Sequence, residues 1–104
     1  MNVDSQSVYL SFQLPERELD WLLGALLPQL NPQEHVWVLH EQEYGDNAQL
    51  ASTLEKVTGR AKTSAVRLLC TAERADQLLK SMAAQRRPEG IRWQIQPLLA
   101  SGHL

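Results

Sequence analysis

The stretch VYLSFQLPERELDWLLGALL, residues 8–27, holds two periodicities that meet at one proline. In its first seven positions Val8, Leu10, Phe12 and Leu14 alternate with Tyr9, Ser11 and Gln13, the period of two expected of a strand with one buried face. Pro15 then stands where a first helical residue belongs. Glu16 and Glu18 complement the positive end of a helix dipole, and Leu19, Leu22, Leu23, Leu26, Leu27 and Leu30 recur at helical spacing. The reading is a strand followed directly by a helix over about residues 15–27, closed by Pro28 and the Asn31-Pro32-Gln33 turn.

Working outward, residues 35–41 are rich in Val and Trp and read as a second strand. The second half of the chain repeats the grammar. A strand over about residues 62–70 leads into a helix with Thr71 as its N-cap and Glu73 and Asp76 nearby. Ala75, Leu78, Leu79, Met82 and Ala83 form the buried stripe of that helix. The RRPEG run stops it, and Ile91, Trp93 and Ile95 alternate with Arg92, Gln94 and Gln96 in a last strand before Pro97. The order βαββαβ predicts an α+β, ferredoxin-like two-layer sandwich in which a four-stranded antiparallel sheet carries both helices on one face. With 104 residues there is room for one domain, spanning 1–104.

Alternation then assigns the sheet's other face. If Val8, Leu10, Phe12, Val36, Val38, Val66, Leu68, Ile91, Trp93 and Ile95 point to the helices, Tyr9, Ser11, Gln13, Trp37, Leu39, Arg67, Leu69, Gln94 and Gln96 point away. Tyr9, Trp37, Leu39 and Leu69 make that face too apolar for a surface meant only for water, so they are the expected interface of a homo-oligomer closed by point symmetry. Trp21 stands apart from this scheme, about 160° from the centre of the leucine stripe of its helix. It either contacts a partner or folds over Pro28.

Composition narrows the function classes. Ten basic residues against twelve acidic ones give a formal charge of −2, which lacks the electrostatic footprint of a protein that binds nucleic acid. The third strand, KTSAVRLLC, also has no aromatic residue of the kind that RNA-recognition sheets stack on bases. The start, MNVDSQSV, has neither a basic nor an apolar signal region, and no apolar run approaches membrane-spanning length, so a cytoplasmic location is expected. Cys70 is the only cysteine, which excludes an intrachain disulfide. It ends an apolar strand, where a small buried thiol is the ordinary reading. No nucleophile elbow or paired base accompanies the serines, and the chain is not read as an enzyme.

The connection over about residues 42–61 is roughly twenty residues long, where a hairpin needs about two to five. QLASTLEKVTG within it suits one short helix ended by Gly59, and EQEYGDNA before it has no period, as in a loop that carries function. Where the chain re-enters the sheet, Gly59, Arg60 and Lys62 join a flexible backbone to two cations, with Arg67 following. This set suits a phosphate or carboxylate ligand, although GRAK is no phosphate-binding fingerprint and Gly59 is also explained as a helix terminator. His40, Glu41 and His103 offer nitrogen and oxygen donors suited to zinc or copper(II), but no local spacing joins them. A metal site built on them needs the loop, the tail or a second subunit.

The βαββαβ order, the long central loop, and the stretches DWLL (residues 20–23), TGR (58–60) and SGHL (101–104) together resemble PII-like proteins. More narrowly, they resemble an uncharacterised PII-like family often encoded beside heavy-metal efflux pumps of the resistance–nodulation–division type. The resemblance implies a homotrimer whose sheets face the threefold axis, with a long loop that changes conformation when a small effector binds between subunits. The loop then presents itself to a target, here a membrane metal-efflux transporter. It places Gly59, Arg60 and Lys62 at the base of that loop. The chain lacks the nucleotide-binding segments of PII proteins, which leaves open whether the effector is a nucleotide or a divalent or transition metal ion. The related CutA-type divalent-cation-tolerance proteins offer the alternative of metal binding by sequestration.

Overall fold

Pro15 is where the backbone turns from strand to helix. Its φ of −57° and ψ of 140° end the extended run, and a single 3-10 turn, Glu16–Glu18, passes the chain into helix α1, Leu19–Leu26. In the computed structural model, residues 6–44, 60–85 and 90–104 are described. They form β1 (Ser7–Pro15), α1, a closing 3-10 turn (Leu27–Gln29) and β2 (Val36–Tyr44). β3 (Arg60–Thr71), α2 (Ala72–Ala83) and β4 (Arg92–Pro97) follow. The expected helix over 49–59 lies outside the described residues. The ends of the predicted loop are strand: β2 continues through Gln42 to Tyr44, and β3 starts at Arg60, paired with Tyr44.

The strands form one antiparallel sheet in the order β2-β3-β1-β4, which with the two helices is the ferredoxin-like α+β sandwich. Register confirms the predicted faces. Phe12 pairs with Val66 and Trp93, and Val66 pairs with Val38, so these four share the helix side. Ser11 pairs with Arg67 and Gln94, and Arg67 with Trp37, so these four share the bare side.

The core sits over the two central strands. Val8, Leu10, Phe12 and Leu14 of β1 and Val66 and Leu68 of β3 are buried against Leu22 and Leu26 of α1 and Ala75, Leu78 and Met82 of α2. The edge strands depart from expectation. Val38, Trp93 and Ile95 have the right parity for the core but remain 38%, 57% and 36% exposed. The buried residues of the two helices pack on β1 and β3, which leaves the outer strands largely uncovered.

Two polar devices hold the ends of the helices. Thr71 caps α2 as predicted, its hydroxyl oxygen accepting from the Arg74 N–H at 3.1 Å. The Arg74 side chain then grips the turn between α1 and β2. Its Nε donates to Glu34 Oε2 at 3.0 Å, and its Nη2 donates to Glu34 Oε1 at 3.0 Å and to the Gln29 carbonyl at 2.6 Å. Glu34 Oε1 also accepts the Asn31 N–H at 2.8 Å. The Arg74 hydrogen bond, and secondarily the Asn31 one, hold the Glu34 carboxyl below the usual carboxylate range against the opposing effect of burial.

Candidate functional site

The sheet face away from the helices is where unexplained features gather. Along one cross-strand row lie Trp37, Arg67, Ser11 and Gln94, and along the next lie Leu39, Ala65, Gln13 and Arg92. Ser11 and Ala65 are short, so the longer side chains around them leave a concavity of about 400 Å3, walled by Arg67, Arg92, Glu41 and Gln94. At its border Trp37 is 51% and Leu39 40% exposed. The predicted interface residues Tyr9 and Leu69 are neighbours in register on the same face and are half-buried.

Four buried side-chain atoms have no hydrogen-bond partner among the described residues: Ser11 Oγ, Thr63 Oγ1, Arg67 Nε and Glu43 Oε2. All four residues belong to this face by register. Buried polar atoms are normally paired, so a concentration of exceptions on one surface points to a partner that completes it. Two contacts do exist there. The Arg67 guanidinium carbon stands 5.8 Å from the centre of the Tyr9 ring, and Arg92 Nη2 donates to Glu43 Oε1 at 3.0 Å.

The predicted ligand set does not assemble within one copy. Gly59 lies outside the described residues, and Arg60 is the first residue of β3. Lys62 pairs with Gln42 and has the parity of the helix face, whereas Arg67 is on the bare face about 17 Å further along the strand. The candidate metal ligands are likewise apart. His40 pairs with Ser64 on the helix side, Glu41 pairs with Thr63 on the bare side, and His103 is exposed in the C-terminal tail. Among the described residues no three His, Cys, Asp or Glu side chains gather as a metal set would.

His40 has the neighbours of a hydrolytic triad without its geometry. Ser64 Oγ shares a hydrogen bond with His40 Nδ1 at 3.3 Å, and Glu16 Oε1 is 3.9 Å from that same nitrogen. A relay needs nucleophile and orienting acid on opposite ring nitrogens, and Ser64 is fully buried, so no substrate reaches it. Burial, and secondarily the Glu34 charge, push the Cys70 thiol up to about 11, away from the lowered range of activated cysteines.

A second depression opens on the helix side, where the short helices stop short of β4. It measures about 350 Å3 and is lined by Phe12, Trp21, Leu79, Met82, Ile91 and Trp93. Trp21, expected from the helical period to contact a partner or fold over Pro28, instead packs here against the core.

Fold and surface together define a small βαββαβ sandwich that is finished on one side of its sheet and unfinished on the other. A family model described as "Protein of unknown function (DUF3240)" matches residues 4–104, and the chain belongs to that family. Among solved structures it is similar to a DUF3240 family protein from Shewanella baltica OS155. The identity is 15%, the coverage 96% of this chain and 98% of that one, and the TM-score 0.69. It is also similar to a Bacillus cereus protein related to NIF3, at 13% identity and a TM-score of 0.64, with 95% of this chain and 27% of that chain covered. These likenesses establish the fold. No curated protein matches the chain. None of the described helices is long and apolar enough to cross a membrane.

Proposed function

We propose that the chain is a PII-like regulatory protein. In this reading three copies close their bare sheet faces around a common axis, and a small ligand binds between copies. The long connection after β2 then carries the state of that site to a partner, a heavy-metal efflux system. The observation that supports it best is the bare face itself, with exposed Trp37 and Leu39 around four orphaned polar atoms. Apolar cover and hydrogen-bond partners are both supplied when a protein surface docks there.

The separation of Lys62 from Arg67 fits the same reading. Residues on opposite faces of one sheet share a ligand only when different copies contribute them, as in a cleft between subunits. An enzyme reading has no comparable support, since neither His40 nor Cys70 has a usable arrangement.

Light scattering at micromolar concentration tests the assembly. The expected mass is about 35 kDa, three times the 11.8 kDa chain, and a monomeric mass would overturn the reading. A thermal-shift panel with adenine nucleotides, bicarbonate, copper, zinc and cadmium tests the sensing. A ligand at ~100 times its dissociation constant adds roughly 2.7 kcal/mol of stability. A nucleotide-specific shift lost in Arg60→Ala supports the sensor, and a metal-only shift lost on changing His40 and His103 would replace it with sequestration.

A further inference from the structure

On the reading that copies meet through the bare face, we infer that Glu41 of one copy seats in the concavity of the next and pairs there with Arg67. The two side chains are opposite charges on the same face, and neither has an ion-pair partner among the described residues. Arg67 is half-buried and its Nε is hidden from water, so its charge lacks both solvent and counter-charge on that side. Glu41 is exposed and has no such constraint.

Within one copy the pair does not close. Both line the same concavity of their own copy without meeting: Arg67 stands opposite Trp37, and Glu41 is four positions further along β2, about 13 Å of backbone away. The other two charges of the face are already engaged, Arg92 with Glu43 at 3.0 Å. What remains is one acid and one base, set apart on a surface whose edge carries Trp37 and Leu39. A second copy brings the missing charge for both at once, whether the contact is twofold or closes a ring.

A free phosphate or carboxylate would also answer Arg67, using Ser11 Oγ and the Gln94 amide beside it. It would leave Trp37 at 51% exposure and Leu39 at 40% uncovered, whereas a protein surface covers them and excludes water from the ion pair. The occupant is therefore a second copy of this chain.

The test is a charge exchange read by light scattering and sedimentation on Glu41→Arg, Arg67→Glu and the double variant. Each single change is expected to weaken association on the order of tenfold or more, and the double variant to regain most of the loss. If Arg67→Glu does not fold, Glu41→Gln, Arg67→Gln and their double give a cycle in which the double is expected to lose no more than the worse single, and additive losses overturn the pair. A charge-exchanged double variant no better than the singles overturns the pair, and so does Glu41→Arg associating like the wild type. In both cases an associating wild-type protein leaves the broader reading standing, whereas a wild-type protein monomeric at micromolar concentration removes both. Inorganic phosphate that stabilises the wild type but not Arg67→Gln, with Glu41→Gln silent, assigns the concavity to an anion instead.

Discussion

β1 presents two different surfaces from one strand. Toward the helices it sets Val8, Leu10, Phe12 and Leu14, all buried, and toward the other side Tyr9, Ser11 and Gln13, all half-buried. The two sides also treat buried hydroxyls differently. Ser64, on the helix side, has His40 within hydrogen-bond reach, while its chain neighbour Thr63, on the bare side, has no partner among the described residues. A hydrophobic layer completes itself inside one copy because area can be buried from any direction. A polar atom is satisfied only by a partner at the right distance and angle, and the bare face leaves that partner to another molecule.

The largest expected contrast lies between Leu68 and Leu69. Leu68→Ala should cost roughly 2–5 kcal/mol in urea unfolding, since a fully buried leucine leaves a cavity. Leu69→Ala, one residue on and half-buried on the other face, should cost less than about 1 kcal/mol in a free protomer. Equal losses would mean the two faces are equally packed.

Next comes the Glu34–Arg74 pair, which belongs wholly to the completed side. Arg74→Ala removes charge-assisted hydrogen bonds to a half-buried carboxylate and should cost about 2–3 kcal/mol at neutral pH. The pH dependence follows from the lowered folded pKa of Glu34. Its stabilisation is complete above the unfolded value and is lost as pH falls through the lower folded value. Wild type and variant should therefore converge in acid, and urea melts taken downward from the ordinary carboxylate range would show it.

Thr63 and Ser64 sharpen the comparison further. Ser64→Ala should lose about 1 kcal/mol with its hydrogen bond, whereas Thr63→Val, which removes an orphaned hydroxyl, should be neutral or gain up to about 1 kcal/mol in a dilute protomer. Destabilisation by Thr63→Val would break the contrast. The smallest change in stability is expected of Trp37→Lys, within about 0.5 kcal/mol, because half of that indole already faces water. Association, followed by sedimentation, should nonetheless fall.

Much of this was legible in the chain. Period-two alternation at residues 8–14 named the buried face of β1, and Thr71 announced its helix cap by residue type. The odd separation of Lys62 and Arg67 also places them on opposite faces of any strand, a signal that the grouping of these two as one ligand set overlooked. The Glu34–Arg74 bond had no such signal, since forty residues separate its partners and only the packing of α2 beside the turn brings them together. Nor could alternation show that Trp93 and Ile95, correctly aimed, would stay exposed, because coverage depends on which strands the helices pack over.

The sequence by itself determined the element order, the faces and the surplus of apolar side chains on the bare one, because periodicity is a local property of the backbone. Tertiary structure alone decided which polar atoms lack partners and that a concavity opens over Ser11 and Ala65. Those outcomes depend on distances between strands that only the folded sheet sets.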